Sequence, residues 1–559
     1  MSVEQRLPAS PDPARLSAAV RFASGHAERM LAQGIWNGDT VARCLRRFAQ
    51  ATPEKPAIVS PTGALSYREA WQRADRLARA FAALGLGKGD VIAVQLPNIP
   101  EFMLVYFATA MLGAVLAPMH MPYGAREMAP LLRHARARLV VCGEPAADRV
   151  PAQAFVALRA TVDSLAHVVT LGLPQAGTLS LRQLMEEGPF ADLAEGGEAA
   201  DPAILCFTSG TSAAPKAVVH SSYTMLANNR LCGPLYALGG DDVLLSCPPF
   251  THAFGICLIN LALSVGATQL LMPAFRPDLL VETIEQGRPT MLFAAPAHIA
   301  ACQKAGLLEQ ADLSSLRVAA ISGSACPPQL ARALQAHMAH GKVMQMWGMT
   351  ELFMGVHTRL DDSEQVRCES IGRPTPEMEL RVVDERGAPK PDGESGELQV
   401  RGPSVFAGYC DDAQANAGPF RDGWFATGDL ACRDREGNFR ITGRLKDLIN
   451  RGGIKINPAE VEALIDKHPK VLQSAIVPMP DEVMGEKACA FIVPRAGDEV
   501  TLSEICAWLK ENGIAKIKWP ERVELIAEMP MTPTRKVIKG LLRPRPEDAP
   551  EKIGEGGRN

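Results

Sequence analysis

Between Ala57 and Glu377 the chain alternates short apolar runs with stretches of helical or loop character, and this alternation restricts its fold more than any other feature. Val91-Ile-Ala-Val-Gln-Leu, Leu139-Val-Val-Cys, Val168-Val-Thr-Leu, Leu244-Leu-Ser, Met291-Leu-Phe and Val318-Ala-Ala-Ile each read as a buried strand. Ahead of the first, Ser66-x-x-Glu69 has the form of a capping box, and Trp71, Ala74, Leu77, Ala78 and Phe81 then recur at helical spacing. Strand and helix in alternation predict an α/β fold, with parallel sheets covered by helices. Near Glu377 the texture changes. Met378-Glu-Leu-Arg-Val-Val-Asp384 and Gly396-Glu-Leu-Gln-Val-Arg401 have a period of two and are broken by Gly/Pro/Asp turns, which predicts a small antiparallel, barrel-like subdomain over about 377–443.

A second change falls at Gly443-Arg-Leu-Lys-Asp447, followed by short strands and a helix starting near Pro458. The expected organisation is an N-terminal extension over 1–40, a large domain over 41–443, a hinge at 444–446 and a small mobile α+β domain over 447–543. A Pro/Glu/Gly-rich tail at 544–559 reads as disordered. A length of 559 residues allows two to four folding units, and 47% hydrophobic with 21% charged residues suits a globular protein. The net charge of −4 argues against nucleic acid as a partner. Thirteen scattered cysteines, with no Cys-x-x-Cys pair, fit reduced thiols in a cytoplasmic enzyme better than disulfides or a zinc site. Two uncharged stretches, Phe102 to Met119 and Phe254 to Phe275, are interrupted by Gly113, Pro118, Asn260 and Pro273; each reads as a buried helix running into a strand, so no membrane span is expected.

The chemistry is concentrated in short motifs. Thr208-Ser-Gly-Thr-Ser-Ala-Ala-Pro-Lys216 leaves the apolar run Ala203–Phe207, and such a loop places backbone N–H groups and hydroxyls around phosphate oxygens. It lacks the Gly-Lys-Ser/Thr ending of the common nucleoside-triphosphate loop; a polar surface turn is the plain alternative. Downstream stand Trp347-Gly-Met-Thr-Glu351, Gly423-Trp-Phe-Ala-Thr-Gly-Asp-Leu430, Gly443-Arg-Leu-Lys-Asp-Leu-Ile-Asn-Arg-Gly-Gly453 continuing to Glu462, and Pro530-Met-Thr-Pro-Thr-Arg-Lys536. In this order and spacing, over residues 40–543, the five motifs resemble those of the adenylate-forming (AMP-binding) superfamily, which includes acyl-CoA synthetases, luciferases and peptide-synthetase adenylation domains. Within it the chain is most similar to short- and medium-chain fatty acyl-CoA synthetases and cyclohexanecarboxylate-CoA ligases.

The resemblance implies a carboxylic acid–CoA ligase that uses ATP, Mg²⁺ and CoA. A carboxylate is a poor electrophile; attack on the α-phosphorus of ATP converts one of its oxygens into part of AMP, a good leaving group. Bringing two anions together calls for positioned positive charge and fixed donors. By resemblance, Thr208, Ser209, Gly210, Thr211, Ser212 and Lys216 hold phosphates, and Thr208 and Glu351 hold Mg²⁺. Gly323, Ser324 and Ala325 line the adenine site beside Gly348, Met349 and Thr350. Trp347 offers a ring face to adenine, although a core tryptophan is a ready alternative. Asp429 takes the ribose hydroxyls, with Ile441 and Arg444 nearby, and Lys446 is the hinge.

The same resemblance implies that Lys536 is the catalytic lysine of adenylation and that Arg451, Gly452 and Gly453 approach the pantetheine of CoA. Pro248-Pro-Phe-Thr-His-Ala-Phe-Gly255 resembles the family's acyl-pocket motif, which implies that His252 gates the acyl pocket. Ala253 stands where 2-hydroxyaryl-activating relatives have Asn, which points to an apolar acyl or alicyclic acid. Ala213, Ala217 and Arg535 replace glycines usual in the family. An enzyme loading a carrier-protein phosphopantetheine and a non-catalytic nucleotide- or acyl-CoA-binding protein are the alternatives, and the family leaves room for a homodimer.

Overall fold

The computed structural model describes residues 13–22, 25–143, 152–193, 196–208, 215–532 and 537–544. The chain divides into two compact units, 1–427 with 432–441 and 428–431 with 442–559.

Two sheets organise the first unit. In one, strands Leu179–Ser180, His167–Thr170, Ala137–Cys142, Val91–Gln95, Val115–Pro118 and Pro202–Phe207 run parallel in that order, and Ala217–Ser221 closes the edge antiparallel. In the other, Lys342–Met349, Val318–Ile321, Met291–Ala294, Val243–Ser246, Thr268–Leu270 and Pro56–Ser60 are parallel, with antiparallel strands at both ends. The strands expected from the apolar runs are therefore present.

Because successive side chains of a strand point to opposite faces, each sheet feeds two cores. Ile92 and Val94 of one sheet share a core with Leu244, Met291 and Phe293 of the other. Val91 and Ala93 pack instead with helix Ala125–Ala135, and Leu245 and Leu292 with helices Pro277–Gly287 and Pro296–Lys304. Helices Tyr67–Ala83, Pro100–Leu112 and Ala253–Val265 fill the shared middle layer. That burial is why the third has no charged residue and the second has only Glu101, in its first turn; each runs into a strand, Val115–Pro118 or Thr268–Leu270. Among the described residues no helix is long and apolar enough to cross a membrane.

Helix Tyr67–Ala83 starts as its sequence dictates. Ser66 Oγ accepts the Glu69 N–H at 3.2 Å, and Glu69 Oε2 accepts the Ser66 N–H at 2.8 Å, satisfying two donors the helix leaves open. Ala74, Leu77, Ala78 and Phe81 face inward. Residues ahead of the large domain also pack: Trp36 is buried, donates from Nε1 to the Pro403 carbonyl at 3.0 Å and stacks on Tyr223. Beyond residue 377, Glu379–Val383 and Gly396–Arg401 pair antiparallel, as do Phe420–Arg421 and Trp424–Arg433.

The second unit carries a five-stranded sheet. Ile454–Ile456, Ile449–Arg451, Gly485–Pro494 and Val471–Asp481 are antiparallel, and Arg522–Leu525 joins Gly485–Pro494 in parallel. Helices Pro458–Ile465 and Leu502–Glu511 bury Val461, Ile465, Ile505 and Leu509 in the core this sheet shares.

Three histidines of the first unit are fully enclosed. The Tyr236 hydroxyl lies 2.7 Å from His357 Nδ1, and Cys232 Sγ is 3.4 Å from its Nε2. Burial, aided by the charge of Arg359, pushes His357 down to about 3, and burial pushes His120 and His220 down to about 4. A histidine held neutral when folded, but titrating near 6.5 when unfolded, binds fewer protons in the native state. Its contribution is complete above pH 6.5 and is lost as pH falls toward the folded values. Stability should fall below pH 6.5 by up to about 1.4 kcal/mol per pH unit for each such residue. Urea unfolding of the wild type and of His357→Gln at pH 7.5, 6 and 5 checks this; equal pH slopes in the two proteins would contradict it.

Candidate active site

In parallel α/β sheets, ligands gather at the carboxyl ends of the strands, where connecting loops present backbone donors and side chains. In the first unit, strand Pro202–Phe207 ends at Thr208, Val243–Ser246 leads to His252, Val318–Ile321 leads to Ser322–Ala325, and Lys342–Met349 runs into Glu351. These positions carry most of the site residues expected from the sequence. Ser209, Gly210, Thr211 and Ser212, with Ala213, lie outside the described residues, as do Lys536 and Arg535.

The base of the loop that follows Pro202–Phe207 is closed like a hairpin. Phe207 pairs with Ala217, and the Thr208 N–H donates to the Lys216 carbonyl at 2.9 Å. Glu351 sits on a second hairpin, between Lys342–Met349 and Phe353–His357, whose register slips at Trp347/Gly348. The tip is tight: the Leu352 N–H donates to the Met349 carbonyl at 3.1 Å, and Phe353 takes φ 59°. Only glycine fits at position 348, since a Cβ there would lie 1.9 Å from the Phe353 carbonyl oxygen. The His220 imidazole supports the tip, with Nε2 2.8 Å from the Thr350 carbonyl; as a carbonyl only accepts, Nε2 carries the proton.

A third segment ties the two hairpins together. The Phe406 N–H donates to the Glu351 carbonyl at 2.8 Å, and the Cys410 N–H donates to the Ala217 carbonyl at 2.9 Å. Between them, the Tyr409 hydroxyl donates to Glu351 Oε1 at 2.8 Å, and Lys216 Nζ lies 4.6 Å from the centroid of the same ring. Asn416 holds the Tyr409 backbone in both directions, at 2.8 Å each. Glu351 is only 6% exposed. Burial, together with the neighbouring Glu351 charge, raises the Tyr409 phenol far above its ordinary value, so it stays a neutral donor. Neither Tyr409 nor His220 is among the residues expected from the sequence. His220 carries a weak signal, a polar residue inside the apolar run Ala217–Ser221; Tyr409 carries none, because its partners are distant in sequence.

The other expected residues of this unit occupy varied surroundings. Trp347 is 8% exposed, and its ring packs over Gly355, where a Cβ would lie 3.0 Å from it. Gly348, Met349 and Thr350 are half-buried. Ser322 extends the strand ladder by donating to the Ala294 carbonyl at 3.0 Å, Gly323 is half-buried, and Ser324 and Ala325 are exposed. His252 caps helix Ala253–Val265, its Nδ1 accepting the Phe254 N–H at 3.1 Å. The His252 ring stacks 5.8 Å from that of buried His120, and Ala253 is buried beside it.

In the second unit, Arg444 Nε lies 3.1 Å from Asp429 Oδ1. Lys446 is exposed in the one-turn helix Leu445–Asp447. Arg451 turns its guanidinium onto Glu521 and donates from Nη1 to the Ile517 carbonyl at 2.6 Å. Gly452 and Gly453, at φ 58° and 88°, form the two-residue turn between Ile449–Arg451 and Ile454–Ile456, a backbone that disfavours side chains. The segments flanking Lys536 are pinned: Met531 pairs with Val537, the Ile538 N–H donates to the Pro530 carbonyl at 2.8 Å, and Lys539 Nζ meets Glu462 Oε1 at 2.7 Å.

If the Glu351 hairpin depends on the close approach at Gly348, Gly348→Ala should destabilise the protein by more than about 3 kcal/mol, as backbone collisions in buried turns do. Denaturant unfolding reads this directly; an unchanged midpoint would show that the hairpin relaxes at little cost.

The sequence model described as AMP-binding enzyme matches residues 45–410, and that described as AMP-binding enzyme C-terminal domain matches 460–536. The chain is 31% identical over 517 residues to a medium-chain fatty-acid–CoA ligase of Escherichia coli, covering 91% of each protein. It is 32% identical over 542 residues to a salicyl-AMP ligase / salicyl-S-ArCP synthetase of Mycobacterium tuberculosis, covering 95% of this chain and 94% of that one. Among solved structures, ATP-bound MatB from Rhodopseudomonas palustris superposes with a TM-score of 0.80 at 29% identity, covering 90% of this chain and 98% of that one.

Proposed function

This chain belongs to the AMP-binding enzyme family, as an adenylate-forming enzyme of the acyl-CoA ligase type, and we propose that it activates an apolar carboxylic acid with ATP and hands the acyl group to CoA. The observation that carries this reading is the joining of Lys216 and Glu351 through Tyr409 at the base of the phosphate loop. One cation and one carboxylate are there held on rigid hairpins at the strand ends, where a triphosphate and its metal must be met together.

The residues present suit Mg²⁺. That ion prefers hard oxygen ligands, needs only one or two from the protein and takes the rest from phosphates and water. Glu351, with the Thr208 hydroxyl, supplies such a set, and Tyr409 fixes the carboxylate's orientation. When bound, the ion offsets charge on the phosphates. The chain's own residues do the remainder. Lys216 and the loop hydroxyls hold the triphosphate, Asp429 takes the ribose hydroxyls and Arg444 steadies Asp429. The Lys536 ammonium draws the substrate carboxylate toward the α-phosphorus. A carboxylate oxygen then bonds to that phosphorus and pyrophosphate leaves. In the second half-reaction the CoA sulfur bonds to the acyl carbon, AMP leaves with the former carboxylate oxygen, and the thiol proton passes to solvent.

Lys446 serves as the hinge that exchanges Lys536 for the Gly452-Gly453 turn between the two steps, and the narrow glycine turn lets pantetheine pass close to the backbone. Ala253, buried at the start of an apolar helix, supports an aliphatic or alicyclic acid. An apolar wall offers no partner for a ring hydroxyl.

ATP–pyrophosphate exchange and CoA-thioester formation across aliphatic, alicyclic and aromatic acids test this reading. Exchange with none of them would overturn it, and exchange without thioester would move the acceptor from CoA to a carrier-bound pantetheine. Lys536→Ala should cut pyrophosphate exchange by about a hundredfold or more while sparing thioester formation from supplied acyl-AMP; equal loss of both half-reactions would contradict the division of labour. Replacing Gly453 with Val should slow the CoA step selectively. Slowed exchange with normal CoA transfer would count against a role for that turn at the thiol.

A further inference from the structure

We propose that Tyr409 is a positioning residue that keeps Glu351 and Lys216 apart and ready for the nucleotide, an inference that rests on the reading of those two as metal and phosphate contacts. A buried carboxylate beside a flexible lysine tends to pair with it, because Coulomb attraction grows as water is removed. Such a pair would cancel the two charges an incoming triphosphate and its cation require. Here the phenol stands between them. Its hydroxyl donates to Glu351 Oε1 at 2.8 Å, and its ring face receives the Lys216 ammonium at 4.6 Å from the centroid. The ring quadrupole attracts a cation with less force than a full negative charge, so the lysine is parked without being neutralised.

The surroundings fix this arrangement. Asn416 clamps the Tyr409 backbone, and Val218 bridges to Tyr409 across the edge of the strand that follows Lys216. Phe406 stacks edge-on against the Tyr409 ring at 4.8 Å while its own N–H holds the Glu351 carbonyl. The phenol O–H donates and the carboxylate only accepts, so this hydrogen bond runs in one direction. The ring thus aims Glu351 from one side and sets the Lys216 side chain from the other.

The two functions separate by measurement of binding without turnover. ATP affinity is measured by calorimetry with Mg²⁺ and with EDTA, in the absence of any acid, and the ratio of the two reports metal coupling. Tyr409→Phe keeps the ring and loses the hydroxyl. It should reduce the ratio by about tenfold, the worth of one hydrogen bond to a charged group, and leave metal-free ATP affinity unchanged. Tyr409→Leu removes the ring as well, so Lys216 and Glu351 can pair, and metal-free affinity should also fall several-fold.

An unchanged ratio in Tyr409→Phe overturns the aiming role. Wild-type metal-free affinity in folded Tyr409→Leu, with folding checked by circular dichroism, overturns the spacing role. Glu351→Gln serves as the reference: if it leaves the ratio unchanged, the assignment of Glu351 to the metal fails rather than the placement of Tyr409. In Glu351→Gln, adding Tyr409→Phe should shift the ratio little further; fully additive effects would mean that Tyr409 acts elsewhere.

Discussion

The hydrogen bond from Tyr409 to Glu351 is the contact on which the candidate site depends. Glu351 is a buried charge, and a buried charge is tolerated only when hydrogen bonds replace the water it loses. Tyr409 supplies one of these bonds at 2.8 Å, and the same segment holds the Glu351 backbone through Phe406 and the Phe207–Ala217 hairpin through Cys410. One five-residue strap therefore couples two hairpins that begin on different sheets. The carboxylate is thereby held in one orientation.

That strap works because the framework beneath it is rigid. The two sheets share a middle layer of helices, and the apolar helices Pro100–Leu112 and Ala253–Val265 lock the sheets to one core. Interiors packed in this way transmit strain rather than absorb it, so the carboxyl ends of Pro202–Phe207, Val318–Ile321 and Lys342–Met349 keep their spacing. Two buried histidines of this unit have partners close by. His357 meets Tyr236 and Cys232, and His220 supports the Glu351 hairpin through Thr350.

Much of the architecture was legible in the residues. Strong patterns needed no tertiary information: the capping box at Ser66 and Glu69 starts its helix, and apolar runs such as Val318-Ala-Ala-Ile321 became strands. The uncharged stretch at Phe102 was resolved by Gly113 and Pro118, which end the helix and the strand after it. Trp347 shows where residue type stopped short. A ring face and a core position were both open, and Gly355 decides where the ring packs, eight residues away on the paired strand. Arg451 is similar: its place in the motif says nothing of Glu521, seventy residues on, which its guanidinium meets.

Order and type of residues along the chain were enough to establish the α/β class, the ordered motifs and the kind of chemistry they serve. The class follows from local rules, because periodicity, capping and turn preference act over a few residues, and the chemistry from the likeness of the ordered motifs to a known family. The tertiary structure alone decided that Tyr409 contacts both Lys216 and Glu351, that His220 supports the Glu351 hairpin, and that Gly348 must lack a side chain. Each of these is a contact between segments far apart in sequence, and the energy of such a contact depends on a distance that no local pattern encodes.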